Sequence, residues 1–260
     1  MKYPLKYPLT IAAIALAALM PLADAAALDE SGDPLASARW SDIQKQYFAD
    51  APLVFDPRVK VLAPSTAENP MQVPLTVDAS ALPGVVEVVV VADFNPITQV
   101  LRFYPEAAPA FLGFRLKLQQ SSPVRAAART RDGVWHVGGT WVNTVGGGCT
   151  APSAGGASRD WQTHLNEVSG RQWSEGPNAG RIRMRIVHPM DTGLVAGTPA
   201  FFLEEINVTD VNGKRLMRVQ PYEPVSENPV FTLNRGVDDG EVLTSGRDNN
   251  GNVFKARIAQ

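Results

Sequence analysis

The chain has 260 residues, with 24 Lys and Arg against 26 Asp and Glu and a formal net charge of -2. That balance, with a pI of about 5.9, excludes the basic excess that nucleic-acid or anionic-membrane binding would call for. Glycine and proline at 21 each, spread through the sequence, suit a globular protein of many short strands and turns.

The first element is an export signal. Lys2 and Lys6 precede an apolar run from Leu9 to Leu22, and Ala23-Asp24-Ala25-Ala26-Ala27 offers cleavage after Ala25 or Ala27. The apolar run is short for a membrane span. Residues 1–25 are therefore expected to be a signal peptide, and the mature protein to be periplasmic. Removal leaves about 233 residues, enough for one large or two small domains.

The mature segment opens with an expected helix. Asp33 is placed to cap it, Pro34 suits its first position, and Ala36, Trp40, Ile43 and Tyr47 recur on one face. Strand patterns follow at 58–62, 71–77 and 85–92, the last continuous enough to be buried on both faces. Others lie at 99–104, 111–118, 124–130 and 134–144, the last two joined by Asp132-Gly133. In 111–118, Phe114, Leu116 and Leu118 alternate with Arg115 and Lys117. About seven strands at this spacing predict a β-sandwich over residues 33–145.

Residues 146–180 break the rhythm and read as a glycine-rich interdomain linker. Within it, Trp161, Leu165 and Val168 fall at helical spacing. A second strand series covers 181–260. In Arg181-Ile182-Arg183-Met184-Arg185-Ile186, apolar residues face one way and arginines the other. Strands at 204–211 and 214–219 flank Asn212-Gly213, and those at 230–233, 241–245 and 253–258 complete the set. The expected fold class is all-β: two immunoglobulin-like β-sandwich domains, a short N-terminal helix and a Gly-rich linker.

Cys149 is the single cysteine, and it cannot pair within its own chain. Gly146, Gly147 and Gly148 precede it and suggest a flexible arm. From the end of the last strand near Thr144, five residues give roughly 17 Å of reach at full extension. No Lys, Arg or His lies close in sequence, so a thiol of pKa near ~8.5 has no visible activation. His136, His164 and His188 show no metal-ligand spacing, and no cofactor is indicated. A Cys149–His164 pair would imitate a cysteine hydrolase, but nothing around Cys149 resembles a strand-to-helix elbow. Asp238-Asp239 and Asp248-Asn249-Asn250-Gly251 lack the glutamate of a calcium loop and read as turns.

Several stretches carry a resemblance. Ala67-Glu68-Asn69-Pro70, Val73-Pro74-Leu75-Thr76-Val77, Asn95-Pro96 and the glycine-flanked Cys149 resemble SoxY, the thiosulfate-oxidation carrier that holds sulfur intermediates on a cysteine. Val187-His188-Pro189-Met190-Asp191-Thr192-Gly193, Asn212-Gly213-Lys214, Glu227-Asn228-Pro229-Val230-Phe231 and Asp248-Asn249-Asn250-Gly251 resemble its partner SoxZ. The resemblance implies a fused, non-enzymatic SoxYZ-like carrier, of the type grouped with periplasmic quinoprotein dehydrogenases. It implies Cys149 as the covalent attachment site and periplasmic redox or sulfur-metabolising enzymes as partners. The alternative is a non-catalytic accessory or docking protein of a quinoprotein dehydrogenase. SoxY's cysteine lies in a Gly-Gly-Cys-Gly-Gly tail at its C-terminus; here Thr150-Ala151 follow, so the arm is a loop anchored at both ends.

Overall fold

The structure, a computed structural model, describes residues 1, 32–49, 51–152, 160–176, 179–236 and 240–259. The expected signal segment and the Asp238-Asp239 pair lie outside them. The architecture is an all-β sandwich. Among the described residues, sixteen strands and two short helices follow in the order α1 (Trp40–Tyr47), β1 (Leu53–Phe55), β2 (Lys60–Leu62), β3 (Thr66–Ala67), β4 (Val73–Asp78), β5 (Val85–Ala92), β6 (Gln99–Tyr104), β7 (Phe111–Leu116), β8 (Ser122–Thr130) and β9 (Trp135–Thr144). The second half adds α2 (Asp160–Thr163), β10 (Val168–Ser174), β11 (Gly180–Ile186), β12 (Leu203–Asp210), β13 (Arg215–Pro221), β14 (Val230–Arg235), β15 (Val242–Asp248) and β16 (Val253–Ile258).

The two halves share their sheets. The larger sheet runs β1-β9-β8-β5-β6-β13-β12-β15-β16, with β3 also on β9; the smaller runs β10-β11-β14-β7-β4-β2. Two joints cross between the halves: β6 pairs β13 through Phe103–Val219, and β7 pairs β14 through Leu112–Leu233. The expected pair of units is thus present as two sets of strands within one sandwich, not as separately closed sheets. The physical reason is edge satisfaction: separate sheets would leave the backbone groups of β6, β7, β13 and β14 open, and each finds a partner in the other half. The core is correspondingly continuous, with Val88, Phe103 and Leu112 packed in one cluster with Ile182, Val219 and Phe231.

The valine run of β5 serves both faces, as its continuity predicted. Val88 and Val90 enter the central core, while Val89 and Val91 join a second cluster under α1 with Trp40, Ile43, Phe48 and Trp135. Each large apolar side chain buried there contributes about 1.5–3 kcal/mol, which holds a helix of eight residues too short to persist alone. Asp33 does not cap that helix. Its carboxylate accepts from the backbone of Leu35 (3.1 Å) and Ser37 (2.8 Å), forming a turn three residues ahead of it.

The same carboxylate reaches into the sheet. Arg125 Nη1 and Nη2 donate to Asp33, both at 2.7 Å, and its Nε donates to Asp93 at 3.0 Å. All three side chains are buried, and the guanidinium lies 4.3 Å from the Trp40 ring. Burial raises the Asp33 pKa, but Arg125 and the two backbone donors outweigh it and hold the carboxyl below its ordinary value.

Three strands escaped sequence reading. β1 and β3 are short and run parallel to β9. β10 falls where Trp161, Leu165 and Val168 suggested a helix. Helical structure there is confined to Asp160–Thr163, and Val168–Ser174 instead pairs antiparallel with β11 along its whole length. The open edge of β11 outweighs a weak periodicity.

Candidate functional site

Cys149 sits where the chain leaving β9 folds back onto the chain leaving β7. Gly147 N–H donates to the Gln119 carbonyl (2.8 Å) and Gly148 N–H to the Leu118 carbonyl (2.9 Å). Gly146 and Gly148 are required by close approach: a Cβ on Gly146 would stand 2.6 Å from Gln119 O, and one on Gly148 would stand 2.2 Å from Pro70 O. Gly146 also adopts a φ of 86°, which favours glycine. The expected flexible arm of Gly146, Gly147 and Gly148 is therefore a seated segment here. At Gly146 and Gly148 the lack of a side chain serves close packing, and at Gly147 it permits a φ of 89°.

The thiol itself is 1% exposed and the sulfur lies 3.7 Å from the Lys117 carbonyl oxygen. Asn95 Nδ2 donates to that same carbonyl at 2.8 Å, while Asn95 Oδ1 accepts from Gln119 N–H at 2.9 Å. Asn95 of the Asn95-Pro96 motif thus clamps the 117–119 segment from behind. Burial pushes the Cys149 thiol up to about 11, against a smaller pull from Lys117. The seated thiol is protonated and shielded.

The second half supplies the other wall. Thr192 Oγ1 donates to the Cys149 carbonyl at 2.8 Å, and Lys117 Nζ donates to the Met190 carbonyl. Lys117 is 2% exposed, and burial pulls its ammonium down to about 8. Met190 N–H donates to His188 Nδ1 at 3.1 Å. That bond requires an unprotonated Nδ1, so the neutral ring carries its proton on Nε2, 3.8 Å from Asp248 Oδ2. Val187-His188-Pro189-Met190-Asp191-Thr192-Gly193, read only as a family stretch, is the strap against which the cysteine segment rests.

Two residues of this seat were missed in the sequence. Lys117 was read as an outward side chain in a strand alternation, with no cation near Cys149. In the fold, β7 ends at Leu116, and Lys117 then passes beneath residues 190 and 223–224, where its N–H donates to the Pro224 carbonyl (2.7 Å). Thr192 lies 43 residues from Cys149 and had no local signal. Conversely, the remaining histidines do not approach the thiol: His136 pairs with Asp56 and His164 with Glu167. A Cys149–His164 pair is not formed. Asp248-Asn249-Asn250-Gly251 is a turn closed on Asp248 Oδ1 by Asn250 and Asn252 N–H. No group of three metal-ligating side chains occurs among the described residues.

Burial pulls His188 down to about 4 from an ordinary 6.5, with Lys117 adding to the effect and Asp248 opposing it. A depressed folded value gives stability that is present above 6.5 and lost as pH falls towards 4. We expect urea denaturation to show such an acid limb. His188→Gln, which cannot charge, should flatten it, and an unchanged limb would place the titration elsewhere.

Residues 44–149 match the family model of the sulfur oxidation protein SoxY, and residues 174–259 match that of the sulphur oxidation protein SoxZ. No curated protein matches the chain. Among solved structures, the sulfur carrier protein SoxY from Chlorobium limicola f thiosulfatophilum is similar at 20% identity, over 41% of this chain and 96% of that one, with a TM-score of 0.37.

Proposed function

This chain belongs to the SoxY and SoxZ families, fused in tandem, and from that premise we propose that it is a periplasmic carrier holding a sulfur-linked intermediate covalently on Cys149 for sulfur-metabolising enzymes. One observation carries the assignment to this residue: the SoxY match ends on Cys149, the single cysteine of the chain. The fusion places the SoxZ-like half where it holds the cysteine segment down, through Thr192 and the carbonyl of Met190.

The seat makes the carrier two-state. Seated, the thiol is protonated and inaccessible; loading and unloading require residues 146–152 to lift from 117–119 and from Thr192. Few bonds hold it, two backbone and one from the Thr192 hydroxyl being the main ones, so opening needs only local rearrangement and not unfolding. An activating enzyme that binds the lifted form would favour it by population shift.

Intact-mass measurement of protein purified from the periplasm without reductant is expected to show adducts, absent from Cys149→Ser. The buried thiol favours a second reading, in which the chain is a non-catalytic accessory to a periplasmic quinoprotein dehydrogenase and Cys149 is a packing residue. An unmodified wild-type mass, with equal partner recovery by Cys149→Ser, would decide for that reading.

A further inference from the structure

Among the described residues, the outer face of the smaller sheet is exposed. α1 packs on the other sheet, and no helix lies over this one among the described residues. Strand alternation puts Arg115, Arg171, Arg183 and Arg185 on it, on β7, β10 and β11. Arg171 stands directly opposite Arg183 across the β10–β11 ladder. Like charges so placed repel and cost stability. None of these four arginines has an ion-pair partner among the described residues, whereas their neighbour Arg181 is held by Glu175 at 2.9 Å. On the larger sheet most exposed arginines are paired: Arg102 and Arg129 share Glu87, Arg247 and Arg257 each have a glutamate, and Arg218 stacks on Tyr104. In a chain of net charge -2, one face thus gathers four arginines that no described carboxylate pairs.

We propose that this arginine face is the docking surface for the acidic face of a protein partner. Three features select a protein over a small anion or a polyanion. The arginines spread across β10, β11 and β7, with β14 between the last two, or roughly 14 Å at normal strand spacing, which is too wide for one small anion to bridge. Trp173, 38% exposed, and Val230 line a shallow trough of about 760 Å³ with Arg171, Arg183 and Arg185. A Trp ringed by arginines is the composition of a protein interface centre. The negative net charge of the whole chain disfavours nucleic acid.

The face also adjoins the thiol seat. Gln72, Pro74 and Arg115 line a depression together with Arg183, Arg185 and Glu227. Arg115 is two residues from Lys117, and Gln72 two from Pro70, whose carbonyl accepts from Leu118 N–H. A partner seated on the arginines would stand beside the segments that hold Cys149. That the partner acts on the Cys149 cargo rests on the carrier reading; that the face binds an acidic protein surface does not.

The test uses the full chain over an immobilised oligoglutamate peptide, with inorganic sulfate and phosphatidylglycerol vesicles as separate probes. Binding to oligoglutamate should weaken steeply with salt and fall by about tenfold or more in Arg171→Glu/Arg183→Glu. Lys45→Glu/Lys255→Glu makes the same net-charge change on other surfaces and should bind as wild type. Arg171→Gln/Arg183→Gln gives a milder loss and serves if the reversal fails to fold. Equal loss in the Lys45/Lys255 control, no binding at all, or binding confined to sulfate or to vesicles would overturn the proposal. The Cys149 adduct, weighed on the same proteins, separates the two ideas: an adduct retained when binding is lost isolates the face, and an adduct absent from wild type counts against the carrier reading alone.

Discussion

Replacing Arg125 with methionine is expected to cost about 3–5 kcal/mol of folding stability, because it strands the Asp33 and Asp93 carboxylates in a buried site without their shared cation. The loss has a pH signature. Without the guanidinium, burial raises both carboxyl pKa values, and groups raised in the folded state lose their contribution as pH climbs through them. The deficit of the variant against wild type should therefore narrow in acid and widen towards neutrality. Urea denaturation at several pH values reads this directly. A small, pH-independent deficit would mean that Asp33 and Asp93 find other donors. The companion Asp33→Asn/Asp93→Asn/Arg125→Met removes the charges together and should recover part of the loss. Arg125 also fixes residues 33–37 to the sheet and stacks on Trp40, so its removal should loosen α1 before the central sandwich.

The second large effect concerns thiol access. Native protein should alkylate at Cys149 at least about a hundredfold more slowly than an open thiol at neutral pH, because the sulfur is covered and burial pushes the thiol up to about 11. Gly148→Ala should abolish most of that protection. The new Cβ would meet Pro70 O at 2.2 Å and Leu118 O at 2.8 Å, both backbone atoms that cannot swing aside. The segment must lift, and the sulfur comes with it. Thr192→Val, which deletes the hydroxyl bond to the Cys149 carbonyl and the weaker one that the hydroxyl accepts from Leu194 N–H (3.2 Å), should give a smaller rise in the same direction. Circular dichroism and the urea midpoint distinguish local release from general unfolding. Unchanged slow labelling in a folded Gly148→Ala would mean that the thiol is held by something other than this seat.

A seated cysteine differs from a swinging tail in a way that matters for a carrier. A chain anchored on both sides of the thiol cannot thread a narrow channel, but it can be lifted and returned. In the proposed carrier cycle, fusion to the SoxZ-like half would speed return, since the strap that carries Thr192 is always present at high effective concentration. In that proposal, protection between deliveries follows from the burial of the thiol.

The sequence by itself determined the elements and their faces. The Val85–Ala92 run, the alternation of Arg181–Ile186 and the Asn212-Gly213 turn all lie where local pattern put them, because periodicity reports which side of a strand meets apolar neighbours. The single cysteine and the family stretches around it were equally legible. Pairing was not. That β6 joins β13, that β7 joins β14 and that β10 lines the edge of β11 depend on backbone groups far apart in the chain, which carry no local code. The same gap hid the nature of the site. Lys117 is buried beneath residues 190 and 223–224, Cys149 is seated between the segment after β7 and Thr192, and Gly146 and Gly148, which read as freedom, stand where Gln119 and Pro70 leave no room for a side chain. Composition identified a thiol worth attention; tertiary packing decided that it is kept neutral and covered, since burial and not sequence neighbours sets its pKa and its access.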